Sequence, residues 1–237
     1  MVKKLNSLSL FFPALNDAQI LPELIKKADD VAKKYALNYE IIVINDGSSD
    51  NTPEVLTELE KKYPALSSFH HKKNEGYGSA LIEGFNRAKN EWVFYTDGDG
   101  QYDPGKLVKL VEVVDEKTDV VNGYKLKRED TVARRCIGWI YNKLLRLMYH
   151  PPVSDVDCDF RLIKKSTLKK FKLSSHSGLI CLELVMKLKK AGATFKEVGV
   201  SHFKRRYGKS QFFNPKHLFS TLHEHVVFYL NQFWTTS

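Results

Sequence analysis

The chain has 237 residues, 43% hydrophobic and 27% charged, with a formal net charge of +9. That is enough for one domain with a good core, and no internal repeat, low-complexity tract or Pro/Gly/Ser linker marks a boundary within it. No stretch approaches the about 18 apolar residues that span a bilayer. Cys136, Cys158 and Cys181 are too scattered for a metal site and odd in number, which fits a reduced, intracellular protein with buried thiols.

A first strand is predicted over 6–12, stopping at Pro13 before Leu15 and Asn16. Lys3-Lys4 ahead of LNSLSLFF imitates a secretion signal, but Asn6, Ser7 and Ser9 interrupt the apolar run, and a sheet strand explains it better. A helix over 20–36 follows, then a strand over 40–45. Its run Ile41 to Ile44 is wholly β-branched, as in a strand buried on both faces of a parallel sheet. The polar turn Asn45 to Asp50 (NDGSSD) comes next, and Thr52-Pro53 opens a helix over 53–63 by N-cap and first-turn rules. After a strand over 66–70, the segment Asn74 to Ala80 (NEGYGSA) leads into a helix over 79–88. Its glycines suit a tight turn with close backbone approach to a ligand, although their spacing is not the dinucleotide-binding fingerprint.

Residues 91–104 read EWVFYTDGDGQYDP, a strand over 91–96 that ends abruptly at Asp97 and Asp99. Side chains one residue apart on an extended backbone project to the same side, so the two carboxylates converge as hard oxygen ligands. Mg²⁺ or Mn²⁺ carrying a nucleotide diphosphate suits that arrangement, with phosphate oxygens and water completing the shell. A helix over 104–116 and a strand over 119–123 complete a strand–helix alternation that signals a mostly parallel, doubly wound α/β sheet. Ligands of such sheets bind at the carboxyl ends of the strands, where Asn16, Asp46 and Asp97/Asp99 would line one crevice.

The remaining pattern is a helix over 131–149, a strand over 159–164, a helix over 178–191, a strand over 194–202 and a helix over 216–233. In the first of these helices Ile137, Tyr141, Leu144, Leu145 and Met148 share a face opposite Arg134, Arg135, Lys143 and Arg146. That face reads as core, or as a basic helix on a membrane surface. In the last helix Leu218, Leu222, Val226, Tyr229 and Phe233 form a stripe, widened by Phe219, Phe228, Leu230 and Trp234. A docked helix, an interfacial anchor and a dimer contact all fit that stripe. Charge is lopsided: residues 1–159 carry 22 Lys and Arg against 25 Asp and Glu, and residues 160–237 carry 15 against 3. A basic last third beside an acidic half suggests an anionic partner; the usual nucleic-acid motifs are missing, so nucleic acid is not expected. RRYGKS is no phosphate-binding P-loop, because Phe203 stands where that loop needs glycine.

In order and spacing, FFPALND, VINDGSSDNT, NEGYGSA and TDGDGQYDP resemble the family 2 glycosyltransferases of the GT-A fold, over roughly residues 6–215. DVDCDFRLIKK and RRYGKS-QFF make the chain most similar to the polyprenyl-phosphate branch, that of dolichyl-phosphate mannose synthase. The resemblance implies a GT-A domain over 1–215 with a C-terminal amphipathic helix over 216–237. It implies an inverting, metal-dependent transfer of a hexose from a GDP-mannose- or UDP-glucose-type donor to a polyprenyl phosphate. The donor would be held by Pro13, Leu15, Asn16, Asp46, Gly47, Ser48, Gly78, Asp97, Gly98, Asp99 and Lys125, and the metal by Asp97, Asp99 and Gln101. The acceptor phosphate would meet Arg128, Arg205 and Ser210, with Asp97, Asp99 and Arg205 carrying the chemistry. A peripheral place on the cytoplasmic face of a membrane follows, with a homodimer or a membrane partner protein left open.

Two departures bear on the details. Relatives often carry Gly-Ser-Arg after the fifth strand, where this chain has Gly123-Tyr124-Lys125, so a phosphate-contacting arginine gives way to Lys125 or to Arg128. Asp17-Ala18 stands where acidic residues often follow the first-strand Asn. A transferase acting on a sugar hydroxyl is the alternative. It would need an acceptor-side carboxylate, for which Glu183 and the Asp155/Asp157/Asp159 cluster are the candidates.

Overall fold

The computed structural model describes residues 3–128, 143, 145–207 and 228. Seven strands form one sheet: β1 (Leu5–Ala14), β2 (Ala36–Asn45), β3 (Leu66–His70), β4 (Trp92–Thr96), β5 (Val120–Arg128), β6 (Phe160–Lys164) and β7 (Phe195–His202). Their spatial order is β3-β2-β1-β4-β6-β5-β7. β1, β2, β3 and β4 run parallel, while β6 lies antiparallel between β4 and β5. The chain thus winds outward from β1 to β3, then returns to lay β4 on the other side of β1. That reversal opens a crevice at the carboxyl ends of β1 and β4.

The helices are α1 (Leu21–Tyr35), α2 (Thr52–Lys62), α3 (Tyr77–Arg87), α4 (Leu107–Val113), the short α5 (Lys165–Leu168) and α6 (Ile180–Lys190). Leu8, Leu10 and Phe12 of β1, with Ile41 and Val43 of β2, face Leu24 and Ile25 of α1, Leu56 of α2 and Leu110 of α4. The alternate residues Phe11, Ile42 and Ile44 face Leu81 and Phe85 of α3 and Leu184 of α6. Burial of both faces explains the unbroken apolar runs Leu10–Ala14 of β1 and Ile41–Ile44 of β2; each fully buried Leu, Ile or Phe contributes about 1.5–3 kcal/mol. Phe11 stacks on Tyr95 at 5.4 Å, and both meet the edge of Phe85 at 4.9 and 5.3 Å. A Cβ on Gly84 would sit 2.4 Å from the Phe11 ring, so only glycine lets α3 close on that cluster.

Three expectations need correction. β1 does not stop at Pro13; it pairs with β2 as far as Ala14. Proline is tolerated because the β1–β4 ladder has already ended at Phe11, so its missing N–H is not required there. The helix expected over 104–116 is a 3₁₀ turn at Pro104–Lys106, with the Asp103 carboxylate accepting from the Gly105 N–H, followed by α4 ending at Val113. In the 131–149 segment only residues 143 and 145–149 are described. There Leu145 and Tyr149 are buried, while Leu147 and Met148 are 73% and 45% exposed, so Met148 is not on the core face. Of the expected final helix only Phe228 is described; it lies 5.9 Å from the Tyr149 ring, against the cluster of Leu145, Val153 and Leu182.

Candidate active site

The floor of the crevice is the turn after β4. β4 ends at Thr96, as the expected strand over 91–96 does, and Asp97 and Asp99 lie on the turn beyond it, where the backbone is not extended as their expected convergence required. The Gly98 N–H donates to the Pro13 carbonyl at 3.0 Å, and a Cβ on Gly98 would lie 2.5 Å from that oxygen. Side chains on either side of this pinned glycine diverge in partner. The Tyr77 hydroxyl donates to Asp97 at 2.7 Å. Asp99 accepts from the Gln101 N–H at 2.9 Å and from the Arg205 guanidinium at 3.4 Å. Burial, then the charges of Asp159 and Asp99, push the Asp97 carboxyl well above the ordinary range; burial likewise raises Asp99.

Beside it stand the turns after β1 and β2. Asn16, at φ 56°, donates its N–H to Ser48 Oγ at 2.9 Å and accepts from the Ser49 and Asp50 N–H groups at 2.8 and 3.3 Å. The Asp46 N–H donates to the Ala14 carbonyl at 2.9 Å, and the Leu15 N–H to Asp17 at 3.0 Å. Pro13, Leu15, Asn16, Asp46, Gly47 and Ser48 are therefore brought together with Asp97 and Asp99. The Asp46 carboxylate itself is taken up within the chain: it accepts from His71 Nδ1 at 2.7 Å and from the Glu75 and Gly76 N–H groups at 2.9 and 3.0 Å. Gly47 is at φ 68°, and a Cβ there would lie 2.3 Å from the Lys73 carbonyl carbon, which packs the 71–76 loop against this turn.

The small residues of NEGYGSA serve a purpose other than the one expected. The Gly78 N–H donates to the His176 carbonyl at 3.0 Å, and a Cβ would come within 2.2 Å of the Ser175 carbonyl oxygen. The close neighbour is the chain's own backbone. Glu183 holds that backbone in place, accepting from the Ser174 and Ser175 N–H groups at 3.0 and 2.8 Å and from Lys187.

Lys125 reaches from β5 to the loop before β6, donating to the Asp157 carbonyl at 2.6 Å and pairing with Asp155 at 3.5 Å. Burial pushes the Asp157 carboxyl up to about 6 and the Cys158 thiol up to about 12. Cys158 and Cys181 are buried free thiols, as expected. At the mouth, Arg205 donates to Asp17 at 2.7 Å as well as to Asp99. Gln101 exchanges two hydrogen bonds with Phe203: the Phe203 N–H to its carbonyl at 2.8 Å, and its side-chain amide to the Phe203 carbonyl at 3.0 Å. Arg128 ends β5, but its side chain, with Gly208 and Ser210, lies outside the described residues. Sequence reading assigned no role to Tyr77, Asp17 or Arg161, although each lies in a motif that it singled out, NEGYGSA, FFPALND and DVDCDFRLIKK.

The mostly parallel sheet, which reverses at β1 and β4 and has paired aspartates on the turn beyond β4, is matched over residues 9–172 by the family model described as "Glycosyl transferase family 2". The chain belongs to that family. Its relatives include the undecaprenyl-phosphate 4-deoxy-4-formamido-L-arabinose transferases of Edwardsiella ictaluri and Serratia proteamaculans, 30% and 27% identical over 89% of this chain. The chain spans 64% of the length of each. In fold it is similar to glucosyl-3-phosphoglycerate synthase from Mycobacterium tuberculosis in complex with UDP, with a TM-score of 0.69, 15% identity and coverage of 95% of this chain and 79% of that one. It is also similar to a mannosyltransferase from Pyrobaculum calidifontis in complex with GDP-Man and Mn²⁺, with a TM-score of 0.65, 16% identity and coverage of 92% and 64%.

Proposed function

We propose that this protein is an inverting glycosyltransferase that moves a glycosyl group from a nucleotide diphosphate sugar to a polyprenyl phosphate at a membrane surface. The observation that carries this reading is Arg205, whose guanidinium stands beside Asp99 at the mouth of the crevice. Departing diphosphate and anionic acceptor both need a fixed cation there, and a planar guanidinium that stays charged suits phosphate. The named relatives act on undecaprenyl phosphate and carry an arabinose derivative, so the reading does not restrict the sugar to a hexose.

Asp97 and Asp99 fit a divalent ion, Mg²⁺ or Mn²⁺, with Gln101 as a neighbouring neutral donor. Both carboxyls are buried and pushed towards protonation, a state that added positive charge would reverse. Among the described residues no group of three His, Cys, Asp or Glu side chains forms an all-protein cage. An ion here would therefore share its shell with phosphate oxygens and water. When bound it would act as a Lewis acid on the leaving diphosphate. Asn16, Ser48 and Asp46 shape the nucleotide end, Asp46 by fixing the 71–76 loop. An acceptor phosphate oxygen is ionised near neutral pH and needs positioning and neutralisation, which Arg205 supplies, without a general base.

A hydroxyl acceptor would need a carboxylate free to take its proton. Of the four candidates, Glu183 is spent on Ser174, Ser175 and Lys187, Asp155 pairs with Lys125, and Asp159 accepts from Tyr95 and Cys181, which leaves Asp157, whose carboxyl burial pushes up to about 6. The engagement of the other three favours the phosphate acceptor. Among the described residues no helix is long and apolar enough to cross a membrane, and the basic last third supports peripheral attachment on the cytoplasmic face. The test is incubation with radiolabelled GDP-mannose, UDP-glucose and a UDP-linked formamido-arabinose, each with a short polyprenyl phosphate, followed by organic extraction. The expected product is an acid-labile, chloroform-soluble sugar phosphate of inverted configuration. A water-soluble glycoside alone would replace this reading with the hydroxyl-acceptor one.

A further inference from the structure

Arg205 is held by two carboxylates of unequal grip. Its Nη2 lies 2.7 Å from Asp17, its Nη1 3.4 Å from Asp99, and its Nε donates to the Tyr207 carbonyl at 2.7 Å. Asp17 is buried, and its other oxygen is fixed by the Leu15 N–H at 3.0 Å. It therefore has little freedom to follow the arginine, and the arginine must come to it. The segment carrying Arg205 is clasped on both sides, by Gln101 on Phe203 and by Glu23 on Arg206 at 2.8 Å. Asp99, by contrast, is the carboxylate a divalent ion would claim.

We propose that Asp17 is a positioning residue for Arg205, and that the guanidinium it holds is the counter-ion of Asp99 until a divalent cation takes that carboxylate. Ion and guanidinium compete for Asp99, while Asp17 keeps the arginine at the mouth, where it can turn to phosphate. The inference takes from the proposed function only that a divalent ion binds at Asp97 and Asp99.

Two measurements test it without donor or lipid. Mn²⁺ titration followed by electron paramagnetic resonance should show Arg205→Ala binding the ion about two- to fivefold more tightly than wild type, the scale of a partly exposed ion pair. Limited trypsin digestion reads the positioning: Asp17→Asn should speed cleavage after Lys204, Arg205 and Arg206 severalfold, with cleavage after Lys61 and Lys62 on α2 unchanged. Asp17→Glu should slow it again. Mn²⁺ affinity unchanged or reduced in Arg205→Ala would overturn the competition. Unchanged cleavage at 204–206 in Asp17→Asn, or equal acceleration on α2, would overturn the positioning role. If wild type bound no Mn²⁺ at all, the metal half of this proposal and of the proposed function would fall together. Tighter Mn²⁺ binding without transfer to lipid would remove only the proposed function.

Discussion

Arg161 donates to the Tyr95 hydroxyl at 2.5 Å, and that hydroxyl donates to Asp159 at 3.2 Å. The arginine is fully buried on β6, one strand from the turn that carries Asp97 and Asp99. It also donates to Asn122 at 2.5 Å and to the Val156 carbonyl. Every branch of its guanidinium thus has an acceptor, which is the condition for keeping a charge out of water. Asp159, held at the end of this chain, is near enough to raise the Asp97 carboxyl.

Arg161→Met should therefore destabilise the protein by about 3–5 kcal/mol, since breaking a buried charged network strands its remaining partners. Urea unfolding followed by circular dichroism measures it. A loss under about 1 kcal/mol, the ceiling for an exposed pair, would show that the network carries little.

Asp99→Asn should abolish turnover while leaving the unfolding transition in place, because the residue packs no core and Asn keeps its shape. Wild-type activity should vanish with EDTA and return with Mn²⁺ or Mg²⁺. Transfer that persists in EDTA would sink the metal assignment.

Asp46 and Arg205 should fail differently. Asp46→Ala removes three hydrogen bonds from the 71–76 loop and should raise the nucleotide-sugar dissociation constant in calorimetry. Arg205→Ala should keep appreciable nucleotide affinity yet lose transfer to polyprenyl phosphate by roughly two to three powers of ten, the scale of one preorganised electrostatic stabiliser. Normal transfer by Arg205→Ala would exclude its role at the acceptor phosphate.

At the membrane, the protein should pellet with anionic liposomes and release partly in high salt, because exposed charge attraction is screened. Deleting residues 216–237 should weaken pelleting. The Phe228–Tyr149 contact makes the contrary result informative: undiminished pelleting after the deletion would assign that segment to docking on the domain.

Much of this was legible in the chain. Strand–helix alternation and the apolar runs of β1, β2 and β4 are local signals, and each of these strands formed over its run, with β1 and β2 extending beyond the expected bounds. The paired aspartates were legible for the same reason, as an abrupt polar end to an apolar run. What local patterns cannot carry is partnership across distance. Asp17 and Arg205 are 188 residues apart in sequence, and nothing near either one indicates the other. Arg161 reads as an ordinary charged residue in a strand until β6 is seen to run antiparallel between β4 and β5. Gly78 looked like room for a ligand because spacing shows that backbone can approach, and not which backbone does.

The late insertion of β6 has a consequence for biosynthesis. Once about the first hundred residues have left the ribosome, β3, β2, β1 and β4 can already lie side by side, since β2 and β4 pair with β1 and β3 pairs with β2, each with a strand made before it. The second flank of β4 is supplied only by Phe160–Lys164. Until those residues emerge, β4, the strand that leads into the Asp97–Asp99 turn, presents a bare row of amides and carbonyls on an apolar stretch, the template other chains can pair with. A nascent chain released before residue 164 therefore ends with β4 as an open edge.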